Sequence, residues 1–196
     1  MIHPPGDVLE VEKKFALEAV EPFLSRLESH GFELQSDVRH ADQYFNHPCR
    51  DFAETGEAFR IRRVDGAGLV TYKGPKREGS VKIRLEDEWR LGGDDATGDR
   101  LEAMLITLGF RPQMVVRKRR RTFLPVVEKG DLDGLSVCLD EVADLGSFVE
   151  IETLITTDTS PATRLATERI ERIADRLSLS VVEPRSYLTQ LIEKLA

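Results

Sequence analysis

What this chain has little of sets the first limits. It holds two cysteines, Cys49 and Cys138, with no paired spacing. That leaves neither a disulfide framework nor a cysteine zinc site, and it suits a reducing cytoplasm. No apolar run approaches the roughly 18 residues that a membrane-crossing helix requires. Met1-Ile2-His3-Pro4-Pro5-Gly6 has no basic stretch leading into an apolar one, so no secretory signal is read there. Neither a solenoid-type repeat nor a low-complexity linker occurs. G-x-G-x-x-G and G-x-x-x-x-G-K-S/T are both missing, which removes support for a Rossmann or P-loop phosphate site. Positive charge is in deficit too. The net charge of −7 argues against bulk attraction to nucleic acid or to an acidic membrane. The expectation is a soluble cytoplasmic protein.

What is present is a charge-rich globular chain. Its 196 residues are 40% hydrophobic and 32% charged, enough for one domain, read as residues 1–196, with a sizeable core. A strand is expected from Val8 to Leu17, then a helix from Glu18 to His30 stopped by Gly31. Asp42 to Asn46 reads as a short strand. Ala58 to Val64 and Gly68 to Lys73 flank Asp65-Gly66-Ala67, which is hairpin chemistry. Val81 to Trp89, Val115 to Leu124, Leu135 to Glu141 and Ser147 to Leu154 complete the strands. Helices are expected over Thr97 to Leu108, from the Ser160-Pro161 cap to Leu177, and after Pro184. About eight strands grouped in hairpins with four helices make an α+β antiparallel fold, not a βαβ one.

The strands share a property. Side chains alternate between two faces of a strand. In Glu10-Val11-Glu12-Lys13-Lys14, Glu10, Glu12 and Lys14 fall on one face, while Leu9, Val11 and Phe15 fall on the other. Arg60 and Arg62 oppose Phe59 and Ile61. Lys73 opposes Val70 and Tyr72. Arg84, Glu86 and Glu88 oppose Ile83, Leu85 and Trp89. Asp140 opposes Val137 and Leu139. Glu150 and Glu152 oppose Val149 and Ile151. In Val115 to Leu124 both faces are basic, with Lys118 and Arg120 on one and Arg117, Arg119 and Arg121 on the other.

Two architectures fit that pattern. The charged faces are wet, on an open sheet backed by helices, or they line the lumen of a closed barrel with helices outside. Closure is favoured by the segregation of carboxylates from cations and by the heavy use of arginine, whose planar fork suits phosphate. Paired carboxylates suit Mg²⁺ or Mn²⁺. Acids for a metal facing bases for oxyanions make the composition of a polyphosphate site. Asp42 and Tyr44 read as structural, Trp89 as outer core, and the four histidines as surface residues.

These residues resemble the CYTH family, the triphosphate tunnel metalloenzymes. Its E-x-E-x-K signature is similar to Glu10-Val11-Glu12-Lys13-Lys14. Phe59-Arg60-Ile61-Arg62, Tyr72-Lys73-Gly74-Pro75 and Val116 to Arg120 extend the likeness. So do Leu139-Asp140-Glu141-Val142, the run from Leu145 to Glu152, and Glu183-Pro184-Arg185-Ser186-Tyr187-Leu188. The resemblance implies a closed eight-stranded antiparallel barrel with a charged tunnel, and it selects Lys118 and Arg120 as the inward pair. It implies Glu10, Glu12, Asp140, Glu150 and Glu152 as ligands of Mg²⁺ or Mn²⁺. Lys14, Arg60, Arg62, Lys73, Arg84, Lys118 and Arg120 would grip the triphosphate, and Glu10, Glu12, Lys14 and Arg120 form the catalytic set. The roles of Glu86 and Glu88 stay open. A homodimer is also implied, with no nucleic-acid or membrane partner.

Of the activities the resemblance implies, class IV adenylyl cyclase comes first: the ribose 3′-OH of ATP attacks the α-phosphorus and pyrophosphate leaves. The Lys73-Gly74-Pro75 element and the Glu-Pro-Arg-Ser-Tyr tail favour it. One departure is that such cyclases carry His-Phe shortly before the first Glu, whereas here His3 precedes Pro4. The alternatives are a triphosphatase acting on inorganic, thiamine or nucleoside triphosphate, and a polyphosphate- or nucleotide-binding module without turnover.

Overall fold

A computed structural model of the chain describes residues 9–75, 81–127, 130–156 and 159–195. The expected strand start at Val8 and the His3-Pro4 departure lie outside those residues. The first strand, β1 (Leu9–Leu17), already separates oil from charge. Leu9, Val11 and Phe15 are buried in the main hydrophobic cluster, and Glu10, Glu12 and Lys14 are buried on the opposite side. Burial of side chains such as Val11 and Phe15 contributes about 1.5–3 kcal/mol each. That contribution offsets the cost of ordering a strand whose other face is charged.

The remaining strands are β2 (Phe32–Asn46), β3 (Ala58–Val64), β4 (Ala67–Lys73), β5 (Lys82–Arg90), β6 (Arg111–Pro125), β7 (Leu135–Val142) and β8 (Gly146–Ile155). They close into an antiparallel barrel in the order β1-β5-β4-β3-β2-β6-β7-β8, with β8 returning to β1. Closure turns the charged faces into a lumen and removes exposed sheet edges. The β3–β4 hairpin turns on Asp65 and Gly66, both at positive φ (47° and 76°), as a type I′ turn needs.

Helices cover the outside: α1 (Val20–Ser29), α2 (Phe52–Thr55), α3 (Asp99–Thr107), α4 (Ser160–Arg176) and α5 (Tyr187–Leu195). Phe23 and Leu27 of α1 and Ala166, Ile170, Ile173 and Ala174 of α4 join the outward residues of β1, β7 and β8 in one cluster. α5 adds Tyr187 and Leu191 to a second cluster with Tyr44, Val116 and Phe148. No helix among the described residues is long and apolar enough to cross a membrane.

Five local points differ from expectation. β2 begins ten residues earlier than Asp42, because Glu33, Leu34, Gln35, Asp37 and Arg39 are exposed and carry no apolar alternation. The four-residue α2 is too short to show a period, and Asp51 caps it by accepting from the Ala53 N–H. The cap of α4 is Thr159, one residue before Ser160, with Pro161 in the first turn. Trp89 is 51% exposed rather than core, and His40 is buried rather than at the surface.

Candidate active site

The inward faces of the strands meet around one cavity of about 670 Å³. Among the described residues eight cationic side chains line it: Lys14, Arg60, Arg62, Lys73, Lys82, Arg84, Lys118 and Arg120. Glu10, Glu12, Glu86, Glu88, Glu150 and Glu152 line it as well. Every candidate predicted from the sequence except Asp140 lies on this wall. Lys82 was missed, although it shares the two-residue phase of Arg84 and Glu86. Arg117 and Arg119 are exposed on the outer face, where Arg119 pairs with Asp37.

The register decides which charges meet. Glu12 sits opposite Lys82 on one side and Glu152 on the other. Lys82 Nζ donates to Glu12 Oε1 at 2.9 Å. Lys73 Nζ lies 2.7 Å from both Glu10 Oε2 and Glu86 Oε2. Those two carboxylates outweigh burial and hold the Lys73 ammonium above its ordinary range. Glu88 stands at the exposed rim and accepts from Thr71 Oγ1 at 2.8 Å.

Two buried aspartates anchor the cations from behind. Asp42 lies opposite Arg62, whose Nε and Nη2 each donate at 2.7 Å; Arg60 Nη1 approaches it at 3.3 Å. Burial alone would raise Asp42, but Arg60 and Arg62 outweigh it and hold the carboxyl well below the usual carboxylate range. Asp140 is 0% exposed and does not line the cavity. It accepts from Lys118 Nζ at 2.7 Å, from Arg120 Nε and Nη2 at 2.7 and 2.6 Å, and from the Tyr187 hydroxyl at 3.0 Å. The structure thus brings Asp140 to the cations and not to Glu10 and Glu12. Arg120 also donates to Glu150, whose carboxyl Arg120, Lys118 and Lys14 hold well below its ordinary value against burial.

Lys14 is 2% exposed. Its ammonium donates to the Arg185 carbonyl and sits 3.9 Å from the Tyr187 ring centroid. Burial lowers its pKa to about 8, with Glu150 opposing. Tyr187, quoted above only as part of the tail, therefore touches both Lys14 and Asp140. Glu183 ties the same tail to β1 by donating its N–H to the Lys14 carbonyl.

Glu152 differs from the other carboxylates. It accepts from Ser136 Oγ at 3.0 Å, and no ion pair reaches it among the described residues. Burial raises its pKa to about 7; Arg120 opposes that, and Glu10, Glu150 and Glu12 add to it. Among the described residues no three His, Cys, Asp or Glu side chains stand gathered as a ready-made metal cluster. The donor chemistry nonetheless fits a divalent cation. Oxygen donors of Glu10, Glu12 and Glu152 come from the adjacent strands β1 and β8, and Glu152 itself has no ion-pair partner among the described residues. Cys138 has its thiol pushed up to about 12 by burial, which leaves it protonated and a weak ligand.

Comparison with known proteins agrees with this geometry. The model of the CYTH domain matches residues 9–187. A protein of Methanocaldococcus jannaschii provisionally named an adenylate cyclase is 32% identical over 182 residues, 92% of this chain and 97% of that one. Adenylate cyclase CyaB of Aeromonas hydrophila is 28% identical over 185 residues, covering 92% and 87%. The solved structure of the PH1819 protein from Pyrococcus horikoshii OT3 has a TM-score of 0.80 and 38% identity, covering 94% of this chain and 99% of that one. A closed eight-stranded tunnel lined with opposed charges, matched in sequence along nearly its whole length, places this chain in the CYTH family.

Proposed function

We propose that the tunnel binds a nucleoside triphosphate and, with Mg²⁺ or Mn²⁺, turns it over, most directly as an adenylyl cyclase. The observation that carries this reading is the ring of eight cations around one cavity. An ATP-like triphosphate brings about four negative charges, and transfer at phosphorus is catalysed mainly by positioning and charge neutralisation. The names of the two curated relatives support the cyclase branch.

Lys14, Arg60, Lys118 and Arg120 bind and orient the phosphates. Asp42 and Asp140 act as positioning residues that hold the guanidinium and ammonium groups in place, so their ordering cost is met before substrate arrives. This changes the role implied for Asp140, from metal ligand to anchor. Glu10, Glu12 and Glu152, with Glu150 beside them, are the residues that would hold the divalent cation. Bound there, it would supply Lewis-acid neutralisation of phosphate oxygens. Loading the site requires Lys73 and Lys82 to exchange carboxylate for phosphate.

A triphosphatase is the second reading. It is favoured by Glu12 facing Glu152 across β1 and β8, which offers carboxylates enough for a second ion beside an attacking water. Purified protein with Mg²⁺ or Mn²⁺ is given ATP, inorganic triphosphate and thiamine triphosphate in turn. Cyclic AMP with pyrophosphate is expected from ATP. Orthophosphate without cyclic AMP would sink the cyclase reading and leave the triphosphatase. Binding without turnover of any of the three would leave a polyphosphate-binding module.

A further inference from the structure

The basic run of β6 has two faces, and the tunnel uses one of them. Lys118 and Arg120 line the tunnel, which leaves Arg117 and Arg119 on the outer face. There they line a second cavity of about 600 Å³ together with Arg39 of β2 and Arg63 of β3. The register explains the hollow. Ala41 of β2 lies opposite Arg63 on one side and Arg117 on the other, so a small side chain stands between two long ones. Arg39 lies directly opposite Arg119, a like-charge pair that destabilises the ladder unless it is neutralised. Carboxylates meet part of this charge. Arg63 pairs with Asp99 and Glu102 at 2.8 and 2.6 Å, and Arg119 pairs with Asp37 at 2.6 Å. Arg39 and Arg117 are exposed and form no ion pair among the described residues. His40 lines the same cavity; it is 9% exposed, and its buried Nδ1 has no hydrogen-bond partner among the described residues. Buried nitrogens are rarely left unpaired.

We infer that this cavity is a second anion site, outside the tunnel, for a compact inorganic oligophosphate such as pyrophosphate. Planar guanidinium forks suit phosphate oxygens. Arg39 and Arg117 are diagonal neighbours on one face of the β2–β6 pair, about 7–8 Å apart by strand geometry, so two long side chains reach two linked phosphate groups. The surroundings limit the length of the ligand. Asp37, Asp99, Glu102 and Glu141 border the arginines, and the chain carries a net charge of −7. An extended polyanion such as nucleic acid would run from the hollow onto these carboxylates and be repelled, whereas a short one ends within the basic patch. Lys118 borders both cavities, so the outer site and the tunnel share one wall. The inference does not rest on the triphosphate reading, because none of the four arginines lines the tunnel.

The test measures pyrophosphate binding by calorimetry in about 0.15 M salt, which screens bulk attraction, with a chelator that removes divalent cations. Arg39→Ala/Arg117→Ala should bind one equivalent fewer than the wild type, because losing two charge-assisted contacts at roughly tenfold each weakens this site about a hundredfold. Binding inside the tunnel and the urea midpoint should be the same in both proteins. Arg164→Ala/Arg176→Ala removes the same two charges from α4, where both side chains are exposed, and should keep the wild-type stoichiometry. Equal stoichiometry and affinity in the wild type and Arg39→Ala/Arg117→Ala, including no binding by either, overturns the site. An equal loss in the two double variants overturns it as well, since bulk charge then accounts for the binding. A single-stranded oligonucleotide that binds the wild type but not Arg39→Ala/Arg117→Ala, with pyrophosphate binding alike in both, overturns the oligophosphate and makes this face a nucleic-acid surface.

Discussion

Asp140→Asn is the sharpest probe of how the tunnel holds its charge. The carboxylate is fully buried and accepts from Lys118, from two Arg120 nitrogens and from Tyr187, all within 3.0 Å. Asparagine keeps the volume and removes the charge. Arg120 retains Glu150, but Lys118 loses its ion-pair partner inside the barrel. Removing one member of a buried pair costs about 3–5 kcal/mol, chiefly from the charge left behind. For a domain of ordinary stability, about 5–15 kcal/mol, that is roughly a fifth or more of the total. With a urea m-value near 2 kcal/mol/M, the unfolding midpoint should fall by about 2 M. A phosphate chain would supply the missing negative charge. Tripolyphosphate at a fixed concentration should therefore stabilise Asp140→Asn more than it stabilises the wild type, in a chelator that removes divalent cations. The chelator separates anchoring from metal binding, because only anchoring leaves a difference there. A midpoint shift below about 0.5 M, or equal stabilisation of the two proteins, would refute the assignment of Asp140 as the cations' anchor.

Other substitutions test separate parts of the wall. Arg84 faces Glu10 across β1 and β5, yet its buried Nε has no hydrogen-bond partner and it forms no ion pair among the described residues. Arg84→Ala should weaken tripolyphosphate binding by roughly ten- to a hundredfold and leave the unfolding midpoint nearly unchanged. Wild-type affinity in calorimetry would remove Arg84 from the phosphate set. Glu12→Gln should lower Mn²⁺ affinity by about tenfold or more, with an unchanged circular dichroism spectrum; undiminished Mn²⁺ binding would contradict the metal assignment. His40 is held neutral, at about 3 against 6.5, by burial and by Arg62 and Lys118. Its folded pKa lies below the unfolded one, so its stabilisation is full above pH 6.5 and is lost as pH falls towards 3. From pH 7 to 5 the wild type should lose up to about 2 kcal/mol through this group, and His40→Leu should not. Glu152, whose folded pKa is raised, runs the other way over part of the same window. It is common to both proteins, so the difference between their urea stabilities is the quantity to measure, and its absence would rule out a buried neutral His40.

Strands were legible in the sequence where one face met helices and the other did not. Val11 and Phe15 against Glu10, Glu12 and Lys14 set the phase of β1, and Val149 and Ile151 against Glu150 and Glu152 set that of β8. Phase faded where the outer face is exposed to solvent. β2 before Asp42 is polar on both sides, and β6 is basic on both from Arg117 to Arg121, so the resemblance alone chose Lys118 and Arg120. The harder loss concerned roles. An inward carboxylate that pins an arginine and one proposed to take a metal show the same two-residue spacing. What separates them is the residue across the strand. Asp42 faces Arg62 and Asp140 faces Arg120, so their charge is already neutralised. Glu12 faces Lys82 on one side and Glu152 on the other, so one cation stands against two carboxylates. Cross-strand partners depend on the order in which the barrel closes, and here β1 pairs with β5 and with β8, both far along the chain. A two-residue period is local and survives in the sequence; a neighbour made by closure is not. The proposed division of this wall into anchors, phosphate grips and metal donors is therefore a reading of register. It follows that a one-residue slip of β7 against β6 would unpair Lys118 and Arg120 from Asp140 while keeping every residue of the E-x-E-x-K signature in place.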